Sequence, residues 1–344
     1  MKVGHVREAH APAGAPWRLA GAATRDAPDW LDLEVVRRRL VVADPRRAHN
    51  SILFRQPLTT LDDLLARGLR IEALAELIEG FEPRAPGQAD DAVLEASDLV
   101  FGRPILRPPA FRDFYAFERH VGTMWQRRGA EIPEAWYRLP IFYFSNTSEL
   151  RGPGEPVWAP RGCRELDFEL EVGAIVDTSA VDLPEERAEE VIGGFFVLND
   201  WSARDLQRDE TTVRLGPAKG KDFATSYGPW IVTPDEIAGT RAAGAAGPDL
   251  AMTASVEDPA GTVTEISRGT WASAQHSFAA MLARASADVH LRAGEILGSG
   301  TVGGGCLLEV KDETLGRWLE PGDLVRLTIE RLGTLESPVI ARPG

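Results

Sequence analysis

Residues 166–172 read LDFELEV, an alternation of apolar and acidic side chains over seven positions. A period of two marks a strand: Leu166, Phe168, Leu170 and Val172 fall on one face, and Asp167, Glu169 and Glu171 on the other. The pattern suits a half-buried strand with a solvated acidic face. It also suits a cation site, because like charges two residues apart repel. If partly buried about 4 Å apart, they cost roughly 4 kcal/mol at an effective dielectric near 20. A divalent ion removes that penalty, since hard cations take several carboxylate oxygens.

Working outward, short β-like runs alternate with Gly/Pro turns. LPIFYFSN precedes the stretch, VGAIV continues it, and GGFFVLND, GPWIVT, AMTASVED, CLLEVKD and DLVRLTIERLG follow. Helical patterns are expected at 184–191 and 271–287. Strands outnumber helices, which predicts a mainly-β (α+β) domain of mixed or antiparallel sheets. Residues 1–104 are Arg- and Ala-rich, with 31–36 and 38–42 as candidate short strands. Thr60 reads as the cap of an amphipathic helix broken at Gly68. GRPILRPPAF (102–111) holds three prolines and favours extended backbone. A boundary there gives a small N-terminal domain, 1–104, and a larger one, 105–344.

The 344 residues, 44% apolar and 26% charged, make an ordinary globular composition, and the net charge of −14 disfavours a nucleic-acid partner. No apolar run approaches the roughly 18–20 residues that span a bilayer. The opening MKVGHVREAHAPAG lacks the apolar core of a signal peptide. Cys163 and Cys306 alone form neither a disulfide framework nor a zinc cluster. These features predict an acidic, soluble, cytoplasmic protein without membrane association.

Further chemistry collects in three places. An apolar run ends in Asn199-Asp200, where a strand end or a helix cap both fit. In FRDFYAFERH (111–120), Asp113 and His120 lie seven apart and would share a face if the segment were helical. LGPAKGKDFATSYGPW (215–230) is a Gly-rich loop holding Lys219 and Lys221, two of only four lysines. A lysine beside carboxylates balances surplus charge or stabilises an oxyanion.

Taken in order with LRAGEILGSGT (291–301), CLLE (306–309) and PGDLVRLTIERLGTLESPV (321–339), these motifs resemble the fumarylacetoacetate hydrolase family from about 105 to 340. The resemblance implies a mixed β-sandwich roll catalytic domain preceded by a small β-containing domain. It implies Mg²⁺, or Ca²⁺ or Mn²⁺, held by Asp113, Glu169, Glu171 and Asp200, with Lys221 offsetting charge and Thr225 lining the metal site. An all-oxygen donor set favours such ions over zinc. His120 would be the base that activates water, Glu309 its orienting partner, and Lys221 a catalytic donor. Tyr115, Tyr143, Arg204, Gln207 and Thr301 match substrate-binding positions. The implied reaction is hydrolysis of a carbon–carbon bond in a 1,3-diketo acid, fumarylacetoacetate- or acylpyruvate-like, by a homodimer.

The chain departs from that pattern where the far end of the substrate is read. Gln126, flanked by Arg127 and Arg128, stands where a substrate arginine is expected, Phe144-Ser145-Asn146 replaces His-Gly-Arg, and Thr211-Thr212 replaces a tyrosine. These changes imply altered specificity. Decarboxylation, hydration or isomerisation of a 2-oxo acid on the same scaffold is the alternative, followed by a non-catalytic ligand-binding relative.

Overall fold

Phe195 and Val197 join one buried apolar cluster, while Phe196 and Leu198 join another. The strand carrying them, Ile192–Asp200, is therefore covered on both faces, which is why GGFFVLND reads as a continuous apolar run. The computed structural model describes residues 1–12, 14–85 and 88–344. Within them a large mixed sheet follows the order Val93–Glu95, Asp29–Asp32, Arg18–Ala22, Lys2–Glu8, Thr225–Val232, Ile192–Asp200, Leu170–Val176, Ile296–Gly298, Phe111–Phe114, Phe142–Ser145. Ile296–Gly298 runs parallel to Phe111–Phe114, and most other pairs are antiparallel. The protein is a strand-rich α+β fold.

An antiparallel four-stranded sheet covers one face of the large sheet. Its strands Ala251–Glu257 and Leu324–Ile329 pack Met252, Ala254, Val256, Val325 and Leu327 against Leu170, Val172 and Val197. Helical segments from the first eighty residues cover the other face, with Leu33, Phe54, Leu64 and Leu74 against Ile175, Phe196, Leu198 and Tyr227. The sheet continues across the 104/105 boundary, because Lys2 and Val3 pair with Val232 and Ile231.

Thr60 caps the helix Leu61–Ala66, its hydroxyl accepting from Asp63 N–H, and Gly68 takes φ +72° beyond the helix end. Five expectations are corrected. Residues 38–42 are helix rather than strand, and the 31–36 strand stops at Asp32. The Asp32 carboxylate accepts from the Glu34 and Val35 N–H groups and starts the helix Leu33–Ala43, which buries Leu33, Val36 and Arg37 at helical spacing. CLLEVKD is not a strand: Leu307–Val310 is helical and Lys311–Glu313 forms a 3₁₀ turn. FRDFYAFERH divides, with Asp113 on the strand Phe111–Phe114 and His120 on the helix Glu118–Gln126. The helix expected at 271–287 shortens to Phe278–Ser286, capped by Ser277.

Candidate functional site

LDFELEV is interrupted, with Leu166–Asp167 pairing to Ser202–Ala203 and Leu170–Val176 entering the large sheet. Its three acids meet different neighbours. Glu171 reaches toward Asp113 and Asp200, and one oxygen of each of these three lies within 4.8 Å of the others. Register brings them together, since Gly298 pairs with Gly173 on one side and with Asp113 on the other. Asp200 ends its strand opposite Thr225. It caps no helix; the next helix, Arg204–Thr211, has no side-chain cap.

Gly298 leaves room for this cluster. A Cβ there would lie 2.4 Å from Asp113 Oδ1 and 2.7 Å from Glu171 Oε2. Glu171 Oε2 accepts from Gly300 N–H at 3.0 Å, whereas Asp113 Oδ1 and Asp200 Oδ1 are buried without a partner. Burial, then the charges of Asp113 and Asp200, push the Glu171 carboxyl well above the ordinary range, and burial with Asp200 does the same to Asp113. Each like-charged pair at this separation costs roughly 4 kcal/mol at an effective dielectric near 20. Buried, partly unpartnered carboxylate oxygens, with no nitrogen or sulfur among them, fit a hard divalent cation.

Glu169 stands apart from that triad. Lys221 Nζ donates to Glu169 Oε2 at 2.6 Å and to Asp200 Oδ2, and Arg204 approaches Glu169 Oε1 at 2.8 Å. Burial opposes the charge on Glu169, but Lys221 and Arg204 outweigh it and hold the carboxyl below its ordinary range. Burial would likewise strip the Lys221 proton, yet Asp200 and Glu169 keep the ammonium charged. Tyr143, across the ladder from Asp113, donates to Asp200 Oδ2 at 2.6 Å.

His120 Nδ1 donates to Glu309 Oε1, which leaves Nε2 as the basic ring nitrogen. Glu309 Oε2 accepts from Gly304 N–H at 2.9 Å, and Cys306 Sγ lies 3.6 Å from Oε1. Burial raises the Glu309 carboxyl, but the His120 bond and charge together with the Gly304 and Cys306 contacts outweigh it and hold the group below its ordinary range. The Tyr115 ring meets the imidazole edge-on at 5.4 Å.

A cavity of about 870 Å³ opens onto these groups, with Asp113, Glu169, Lys221, His120, Tyr115, Tyr143, Arg204, Gln207 and Thr301 in its wall. Glu309 stands behind His120, and Thr225 is buried in the ladder rather than in the wall. Arg204 donates within the protein, from Nε to Asp167 and from Nη1 to Gln207 Oε1, while Nη2 lies beside Glu169. Gln207 therefore keeps its amide nitrogen as the donor available to a ligand. Sequence reading missed Met124 and Arg208 in the wall. Their signal is helical period: His120, Met124, Arg127 and Arg128 sit at i, i+4, i+7 and i+8, and Arg204, Gln207, Arg208 and Thr211 at i, i+3, i+4 and i+7.

The family described as "Fumarylacetoacetate (FAA) hydrolase C-terminal" matches residues 110–340. Fumarylacetoacetase of Aspergillus fumigatus is 30% identical over 294 residues, 69% of this chain and 68% of that protein. The chain spans between 35% and 68% of the length of such curated relatives. Among solved structures, a fumarylacetoacetate hydrolase from Exiguobacterium antarcticum superposes with TM-score 0.68 at 21% identity, over 99% of this chain and 100% of that one. A 2-hydroxyhepta-2,4-diene-1,7-dioate isomerase from Mycobacterium marinum gives 0.61 at 20%, over the full length of both. These two likenesses establish the fold. No helix among the described residues is long and apolar enough to cross a membrane.

Proposed function

Because this chain belongs to the fumarylacetoacetate hydrolase family, we propose that it is a divalent-metal-dependent hydrolase of a carbon–carbon bond in a 1,3-diketo acid. One observation carries the reading: Asp113, clustered with Glu171 and Asp200, and His120, paired with Glu309, line the same cavity. Asp113, Glu171 and Asp200 would hold the ion, with Glu169 beside them balanced by Lys221. When bound, Mg²⁺ or a similar ion would supply Lewis-acid polarisation of the substrate's carbonyl oxygens.

The chain's own residues supply the rest. His120 Nε2 takes a proton from water while Glu309 steadies the imidazolium. The hydroxyl bonds to the carbonyl carbon, and the adjacent carbon–carbon bond breaks with its electron pair passing to an enolate. That enolate takes the proton from the imidazolium, giving a carboxylic acid and a shorter oxo acid. Lys221 spends two of its three N–H donors on Glu169 and Asp200. The third remains for a developing oxyanion, as does the Gln207 amide.

The opposite end of the cavity points to an anionic, extended substrate. Arg127 and Arg128 follow His120 by two helical turns, roughly 10 Å along the axis, with Met124 and Trp125 between. Arg208 adds a third guanidinium, itself paired with Glu165. Isomerisation or decarboxylation would not need the water-activating pair, and its presence favours hydrolysis. The test is product analysis on acylpyruvates and oxaloacetate, before and after chelation, with His120→Ala alongside. We expect two acids from an acylpyruvate, loss of activity on chelation, recovery with Mg²⁺, and at least a hundredfold lower kcat in the variant. Carbon dioxide from oxaloacetate as the dominant product, or a wild-type rate for His120→Ala, overturns the reading.

A further inference from the structure

Asp167 belongs to the acidic stretch yet faces neither the cavity nor the triad. It is fully buried, and four donors saturate its carboxylate. Oδ1 accepts from Phe168 N–H and Leu307 N–H, both at 2.8 Å. Oδ2 accepts from Arg204 Nε at 2.7 Å and Leu308 N–H at 2.9 Å. Two of these bonds start the short helix Leu307–Val310, whose first turn carries Glu309. The bond to Arg204 fixes the guanidinium that approaches Glu169.

We propose that Asp167 is a positioning residue that locks the cation side of the site to its proton-transfer side. A single carboxylate sets where Arg204 presents its charge to Glu169 and where the Leu307–Val310 helix presents Glu309 to His120. Neither task brings Asp167 into contact with substrate or ion. No neighbouring side chain can take over both. The helix has no other side-chain cap, and Asp167 is the only carboxylate to which Arg204 Nε donates. The Glu309 arm rests on the reading of His120 as the base; the Glu169 arm does not.

The test uses the full chain, stripped of metal and titrated with Mn²⁺ by electron paramagnetic resonance, followed by acylpyruvate kinetics at saturating metal. Asp167→Asn keeps an oxygen for the Phe168 and Leu307 N–H groups but turns an amide N–H toward Leu308 N–H and Arg204 Nε. We expect Mn²⁺ to bind at least fivefold more weakly and kcat to fall at least tenfold, with KM within threefold. In the Glu309→Gln background the same substitution should lower kcat less than threefold further, because its effect passes through Glu309. Simple structural damage would instead make the two losses multiply. Mn²⁺ affinity and kcat both within twofold of wild type, or multiplying losses, overturn the proposal. Should Asp167→Asn fail to fold, Arg204→Lys tests the same link. A single ammonium does not bridge Asp167 and Glu169 as the planar fork does, so Mn²⁺ binding should weaken at least fivefold; unchanged binding overturns the proposal. A wild-type rate for His120→Ala would sink the hydrolase reading, and the Mn²⁺ titration would still judge the Arg204–Glu169 arm.

Discussion

Gly298→Ala perturbs the acidic triad without replacing a carboxylate. Gly298 sits in a strand between Gly173 and Asp113, at a backbone conformation open to any residue, so an alanine there is strained only by what its methyl group meets. It meets Asp113 Oδ1 at 2.4 Å and Glu171 Oε2 at 2.7 Å, whereas Cβ contacts under 3.0 Å are essentially never seen. The two oxygens must retreat by about half an ångström, while a metal site tolerates only about 0.2 Å in its ligand distances. The mismatch decides the outcome: metal affinity should fall by one to two orders of magnitude, about 1.4–2.8 kcal/mol. Overpacking costs about 1–3 kcal/mol when nothing can move. Here the carboxylates can rotate, so the melting temperature of the metal-free protein should hardly change. Calorimetric Mg²⁺ titration of the chelated variant, with a thermal melt of the same sample, separates the two effects. An unchanged affinity would refute the argument that these oxygens enclose the ion, and a large loss of stability with normal affinity would place the strain elsewhere.

Gly122→Ala is the matched control: it lies inside the helix Glu118–Gln126, its Cβ would meet only Ile132 at 3.6 Å, and the change should stabilise the protein by roughly 0.5–1 kcal/mol in urea melts. Removing the distal guanidiniums with Arg127→Ala and Arg128→Ala should raise KM about tenfold for an acylpyruvate ending in a second carboxylate. It should leave an uncharged analogue within twofold; equal effects on both would deny an anion-reading role. His5 is fully buried, its Nδ1–H donating to Arg103 O at 2.8 Å and its Nε2 accepting from Leu61 N–H at 3.2 Å, so the ring is held neutral. Burial lowers its folded pKa; Arg103 O, Asp62 and Asp63 oppose that fall only in part. The unfolded chain then binds the proton more readily, so this contribution is complete above about pH 6.5 and is lost as pH falls below it. His5→Gln should flatten that part of the stability profile between pH 6.5 and 4.5, and an unaltered slope would assign it to other groups.

How much of this was legible in the sequence follows from where each structural cause lies along the chain. Apolar alternation and local caps are written within a few residues, so the Ile192–Asp200 and Leu170–Val176 strands and the Thr60 cap were read correctly. The strand expected at 38–42 is helix because the decisive group, the Asp32 carboxylate, stands one residue before the helix, six residues ahead of 38 and within the stretch 31–36 also read as strand. CLLEVKD failed for a longer-range reason: its helix starts on a carboxylate 140 positions earlier, Asp167, and nothing in the local alternation records that bond. The Asp113–His120 pair shows the same divide. Their spacing of seven suggested one helical face, yet they sit on a strand and a helix, and Asp113 meets Glu171 because Gly298 separates their strands by a single residue without a side chain. Ordered motifs therefore indicated which side chains belong together before any local rule indicated how. What the motifs left out was the scaffolding between them, since Asp167 shares its stretch with Glu169 and Glu171 and differs only in the neighbours that folding brings to it.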